Sequence, residues 1–218
     1  MKILKYGYIA IALFSGAIVT SCSDSDKTYE KTINAETITW EQIDPGVRKF
    51  FIKSVAYGME KANVLMEETD ALAVVIKTLE ISLDVDSSDL SGEYKAYWEA
   101  SVPIIKAIIE DLKKEESIPL PTSMAGMAQY QQAILDTVMK VRDKHQSEFD
   151  ELKRKYPNAT ALFDSPQPGI SQPKIMELFT AKYNIEQMTM ENVMTSSSPE
   201  EAIRKTAQQL YALAEEQK

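Results

Sequence analysis

The sequence predicts an all-α protein: an elongated bundle of about six or seven helices behind an N-terminal leader and a tether. Three observations carry this prediction. Only 7 glycines occur in 218 residues, too few for the tight turns of a many-stranded fold. Apolar residues recur every three or four positions over long stretches, the period of a buried helical stripe. Several of those stretches open on a hydroxyl or carboxylate cap followed by proline, a helix-start signature. Residues 40–218 suffice for one domain, or two small subdomains, with a sizeable core.

Asp44-Pro45 starts the first helix, with Val47, Phe51, Val55, Ala62 and Leu65 on its stripe. The stripe continues through Leu72, Ile76, Leu79 and Leu83, giving either one helix over 46–84 or two that break near Thr69-Asp70; typical helix lengths favour the break. Residues 71–77 (ALAVVIK) are strand-like in composition but have no sheet partner, and read as buried helix. Asp84, Asp86 and Ser88 mimic the first ligands of a calcium loop. The pattern fails at Asp89, where glycine is needed, and at Lys95, where a bidentate Glu belongs. Turn chemistry is the simpler account.

Ser91 caps a helix that buries Tyr94, Trp98, Val102, Ile105 and Leu112, with Pro103 inside it as a kink. Tyr97 falls off that stripe. Thr122 begins the longest pattern, Met127, Gln131, Ile134, Val138, Val141, His145, Phe149, Leu152 and Tyr156, whose last part is rich in ion pairs and is expected to protrude. Residues 157–173 hold four prolines and one glycine and read as an irregular loop. Ser171 caps a helix through Ile175 and Phe179, a Met-rich helix follows over 185–194, and Ser198-Pro199-Glu200-Glu201 is a capping box before the last helix.

The N-terminus is organised differently. Lys2 and Lys5 precede a 14-residue apolar run, Tyr6 to Val19, shorter than the roughly 20 residues that span a bilayer and typical of a signal-peptide core. The run ends in Val19-Thr20-Ser21-Cys22, which resembles the lipobox of bacterial lipoproteins. The resemblance implies cleavage before Cys22 and acylation of that cysteine, with palmitate or a similar chain, as the first mature residue. The chain is then organised as a signal peptide (1–21), a lipidated Cys22 with a flexible tether (22–39), a bundle (40–156), a loop (157–173) and C-terminal helices (174–218). Ser23-Asp24-Ser25-Asp26 resembles the export signal of surface lipoproteins in Bacteroides-like bacteria. The expected location is the bacterial outer membrane, on its periplasmic or surface face. Cys22 is the only cysteine, so the mature chain has no disulfide to draw on.

Losing residues 1–21 takes two of the 24 basic residues and none of the 33 acidic ones, moving the formal charge from −9 to −11. Such a surface repels nucleic acid. Chemistry-bearing constellations are sparse. His145 is the only histidine, which forbids a two-histidine zinc motif, and it reads as a semi-buried seam residue. Met190 and Met194 share a helix face and are a thioether candidate for Cu(I), with Met188 pointing elsewhere; core filling is the alternative. The acid pairs Glu67-Glu68, Glu115-Glu116 and Glu200-Glu201 are adjacent in sequence, hence on different helix sides. Tyr97 and Trp98 are the candidate platform for a glycan or peptide. The stretch from Pro166 to Glu216 resembles the tail of sugar-type solute-binding proteins of ABC importers, but that family needs two α/β lobes, which 40–156 do not supply.

The expectation is an envelope protein anchored by Cys22 that binds another envelope protein without catalysis and without a cofactor. Phe149, Tyr156 and Phe163, on the protruding helix end and the proline-rich loop, are the contact candidates. A small-molecule binding lipoprotein and a carboxylate enzyme are the alternatives.

Overall fold

The computed structural model describes residues 28–66, 68–119, 127–165 and 172–218. The leader, Cys22 and the start of the tether, the Thr122 helix start and the Ser171 cap lie outside the described residues. Among the described residues every regular element is helical, as expected of an all-α chain. A 3-10 turn (Trp40–Gln42) precedes α1 (Pro45–Glu60), α2 (Ala62–Met66), α3 (Ala71–Leu83), α4 (Gly92–Leu112), α5 (Met127–Lys144), α6 (Gln146–Lys155), α7 (Pro157–Phe163), α8 (Lys174–Lys182), α9 (Ile185–Thr195) and α10 (Pro199–Glu215).

There are more segments than the expected six or seven because three stretches break. The 46–84 stripe divides at Lys61 and at Thr69-Asp70. Asp70 caps α3 by accepting from the Leu72 amide at 2.9 Å and also accepts from Ile118 N at 3.1 Å. The Thr122–Tyr156 pattern breaks at His145, where the chain makes one tight turn (His145 N–H to Arg142 O, 2.9 Å). This corrects the expected protrusion: Phe149 (8% exposed) and Leu152 (3%) turn into the core, because the break lets α6 fold back onto it. The proline-rich stretch opens with a helix, α7, since Pro157 at the first helical position starts one.

Two cores result. The first joins α1, α8 and α10 through Val47, Phe51, Val55, Ile175, Phe179, Leu210 and Ala214, with Trp40 and Ile43 closing it. Phe179, 1% exposed, meets the rings of Trp40, Phe51 and Tyr183 at 5.7, 5.4 and 5.5 Å. Here α1 lies along α10, with Lys49–Glu215 at 2.8 Å and Arg48 donating to Lys218 O at 2.9 Å. The Asp44 cap and Pro45 start α1 as expected, Asp44 accepting from Gly46 N and Val47 N. At Gly46 any β-carbon would collide with the Asp89 carbonyl, so the α1 start and the turn before α4 touch backbone to backbone.

The second core joins α3, α4, α6 and α7 with Val141 of α5. Helix α4 runs through Pro103 unbroken between the two cores. Tyr94 and Trp98 pack on the first, while Tyr97, Ile104, Ile105, Ile108 and Leu112 fill the second. This overturns the one-stripe reading of α4: a helix served by two cores buries two stripes, and Tyr97 is 4% exposed. The 84–89 turn is closed by Asp86, which accepts from Ser88 N (2.9 Å) and Oγ (2.8 Å), while Asp89 pairs with Lys53 at 2.6 Å.

Candidate functional site

Two regions carry features that packing alone does not account for. The first is the junction of the tether's end with α4, α6 and α7. Gly92 sits at φ +54°, a left-handed value natural to glycine, and turns the chain so that Glu93 enters the body 8% exposed. Its Oε1 accepts from Asn158 N (2.7 Å) and Ala159 N (3.1 Å), and its Oε2 from Asn158 Nδ2 (2.6 Å). A carboxylate thus caps α7, satisfying the donors that Pro157 leaves exposed.

Asn158 is the hub. Its Oδ1 accepts from Thr32 N (2.7 Å) and Ile33 N (2.8 Å), and its Nδ2 also donates to Glu30 O (2.8 Å). Tyr29 N donates to Lys155 O at 3.1 Å, and the Tyr29 ring meets Tyr156 at 6.0 Å. Residues 28–33, expected as free tether, form a docked strap. The Asn158-Ala159-Thr160 triplet, which matches a glycosylation acceptor, is committed to this seam with Asn158 6% exposed.

Beneath the strap lies an aromatic stack. Tyr97 lies parallel to Phe163 (5.9 Å, 9°) and edge-on to Tyr156 (6.1 Å, 79°). Its hydroxyl donates to Asp164 Oδ1 at 3.1 Å. Burial holds the Tyr97 hydroxyl well above its ordinary range, and the neighbouring Asp164 carboxylate adds to that. Burial pushes Asp164 up to about 6, with the Tyr97 hydroxyl and the charges of Lys153 and Arg142 opposing. The pair is a protonated phenol holding a half-buried carboxyl. That is a latch: the phenol stays a donor across physiological pH, so it supplies neither base nor nucleophile.

The second region is α9. A helix at a protein surface normally turns apolar residues inward. Here the buried positions are Thr189 and Asn192, and Asn192 Nδ2 donates to Thr206 Oγ1 (2.9 Å) and Gln209 Oε1 (2.7 Å) of α10. Met190, Val193 and Met194 face outward at 56%, 49% and 83% exposure. At i, i+3 and i+4 they form one patch. Between α9 and α10, Asn192, Lys205, Gln208, Gln209 and Ala212 line an open depression of about 340 Å³.

Of the residues singled out from sequence, Trp98 is half-buried and edge-on to Phe50 at 5.0 Å, and Tyr97 is enclosed. Phe149 is covered by the Arg142 guanidinium at 4.8 Å. Tyr156 and Phe163 are half-buried in the stack. Met190 and Met194 do share a face, with Met188 packed against the first core instead. His145 lies at the α5–α6 break, Nε2 3.5 Å from Asp111 and Nδ1 3.4 Å from Glu148. Among the described residues no group of three or more His, Cys, Asp or Glu is placed to hold a metal, and no helix is long and apolar enough to cross a membrane. Neither Glu93–Asn158 nor the outward apolar patch of α9 was identified from sequence. Both depend on what lies opposite in space.

Comparison with protein-family models, with curated proteins and with solved structures gives no match to this chain.

Proposed function

We propose that the chain is a lipid-anchored envelope protein, held through Cys22 at the bacterial outer membrane, that works by binding another envelope protein without catalysis. The observation that carries the binding half of this reading is α9, which packs Ile185 and Met188 on the body and buries Thr189 and Asn192, yet offers Met190, Val193 and Met194 outward. Contiguous exposed apolar side chains rimmed by polar ones suit a protein contact, and methionine adapts its shape to a partner. Phe149, Tyr156 and Phe163 serve internal packing, so the contact is assigned to α9 in their place. Tyr97 and Trp98 are likewise engaged within the body, which weakens the glycan alternative.

The test is site-specific photo-crosslinking in intact cells from position 194, with position 132 on α5 as an exposed control. A discrete protein adduct from 194 alone, abolished by Met190→Glu/Val193→Glu, supports the reading. Lipid adducts from 194, or equal smears from both positions, contradict it.

A further inference from the structure

The docked strap changes what an anchor at Cys22 does to the body, an inference that rests on the lipidation proposed above. Six residue steps lead from Cys22 to Thr28, the first described residue, and at 3.3–3.6 Å each they span at most about 22 Å. A tether free from Cys22 to Thr39 would reach about 60 Å. A compact body of this length is about 40 Å across. The first reach is shorter than the body and the second is longer. A free tether therefore leaves every face able to meet the membrane, whereas the docked strap leaves only the end where it enters.

That end is defined by the Asn158 bonds to Thr32, Ile33 and Glu30, by Tyr29 N on Lys155 O, and by the Tyr29–Tyr156 ring contact. Its surface has a local charge unlike that of the chain. The last turn of α6 is Lys153-Arg154-Lys155, with Lys153 and Arg154 exposed, and Lys31 on the strap is exposed as well. Glu151 pairs with Arg154 (2.7 Å) and Lys155 (3.1 Å), and Asp150 accepts from Gln146 (2.9 Å). Glu30 on the strap, and Asp24 and Asp26 ahead of it, are the other acids nearest in sequence. Basic side chains gathered at the anchored end of an acidic protein suit an anionic headgroup surface. We infer that the end formed by the strap, the last turn of α6 and the start of α7 is the face that lies on the lipid headgroups, with Asn158 as the clasp that sets this orientation.

The experiment uses the full lipidated chain in vesicles of phosphatidylethanolamine and phosphatidylglycerol carrying a nitroxide on some headgroups. With Cys22 acylated, an introduced cysteine is the sole thiol, so Lys153→Cys and Gln208→Cys (exposed on α10) each take one fluorophore. The orientation predicts quenching at 153 about twofold or more above that at 208, and loss of the difference in Asn158→Ala. Should that variant fail to fold, Thr32→Pro removes the Thr32 N and Oγ1 donors to Asn158 without touching the body and must give the same loss. Equal quenching in the parent, stronger quenching at 208, or a difference unaffected by Asn158→Ala and Thr32→Pro overturns the inference. Intact mass separates the two claims: a free Cys22 thiol ends the anchoring reading, whereas an acylated Cys22 with equal quenching ends only the orientation.

Discussion

Replacing Asn158 by alanine is the most informative single change to the fold. The side chain makes three short neutral bonds to the strap (Thr32 N 2.7 Å, Ile33 N 2.8 Å, Glu30 O 2.8 Å), a longer one from Thr32 Oγ1 (3.3 Å), and one charge-assisted bond to Glu93 (2.6 Å). At about 1 kcal/mol net for each short neutral bond and about 2 for the charged one, some 5 kcal/mol of favourable interaction is at stake. The strap has no regular secondary structure of its own, so its residues can leave the body once their partner is gone. Ordering them costs about 1 kcal/mol per residue, and undocking returns that entropy. The Glu93 carboxylate keeps its bonds from the Asn158 and Ala159 amides, so α7 retains its cap. The net expected loss is about 2–3 kcal/mol in urea unfolding, with protection of the Thr32 and Ile33 amides against hydrogen exchange falling to that of free chain. A loss under about 0.5 kcal/mol, or continued protection of both amides, would refute the reasoning. It would mean that the strap is held by Tyr29 and Ile33 alone.

Further predictions follow from the two cores and the latch. Asp164 is pushed up to about 6 by burial, so folding favours its protonated form: stability from this group is present below the unfolded value near 3.8 and is lost as pH rises through about 6. Two units at about 1.4 kcal/mol each give a ceiling near 3, and partial solvent contact reduces this to about 1–2 kcal/mol. Asp164→Asn, which still accepts from Tyr97, is therefore expected to be more stable than the parent at pH 7.5 and equal to it at pH 4, measured by urea midpoints. Glu93→Gln sets an amide against Asn158 Nδ2 or its backbone N–H, and is expected to cost about 1–3 kcal/mol in the same assay. Phe179→Ala opens the first core among three rings and is expected to cost about 3–5 kcal/mol. Met194→Ala, at 83% exposure, is expected to change stability by under about 0.5 kcal/mol.

Local signals were legible in the sequence where the chemistry is local. Asp44-Pro45 starts α1, and Ser198 caps α10 by accepting from Glu201 N at 3.2 Å. The reciprocal half of that box is shifted one residue, with Glu201 accepting from Ser197 N and Oγ at 2.8 and 2.6 Å. The ion pairs expected of the α6 end include Glu151–Lys155 at 3.1 Å. The all-helical class follows from composition and period. What failed to show was whatever depends on a second surface. A single-stripe template assigns Tyr94 and Trp98 to the core and Tyr97 to solvent, because it has no place for a helix between two cores. The break at His145 carries no glycine or proline; it arises from the demand that Phe149 and Leu152 reach the second core. Asn158 meets its partners across more than a hundred residues, and no spacing rule links them. The α9 methionines were grouped on one face correctly, but only the neighbouring α10 decides which side of α9 faces water.

The anchoring on which the proposed function depends is tested most directly by intact mass spectrometry of the protein extracted from membranes with detergent. The account predicts a chain that begins at Cys22 and carries the added mass of its lipid. A mature chain that begins elsewhere, or one whose Cys22 reacts as a free thiol, would contradict it.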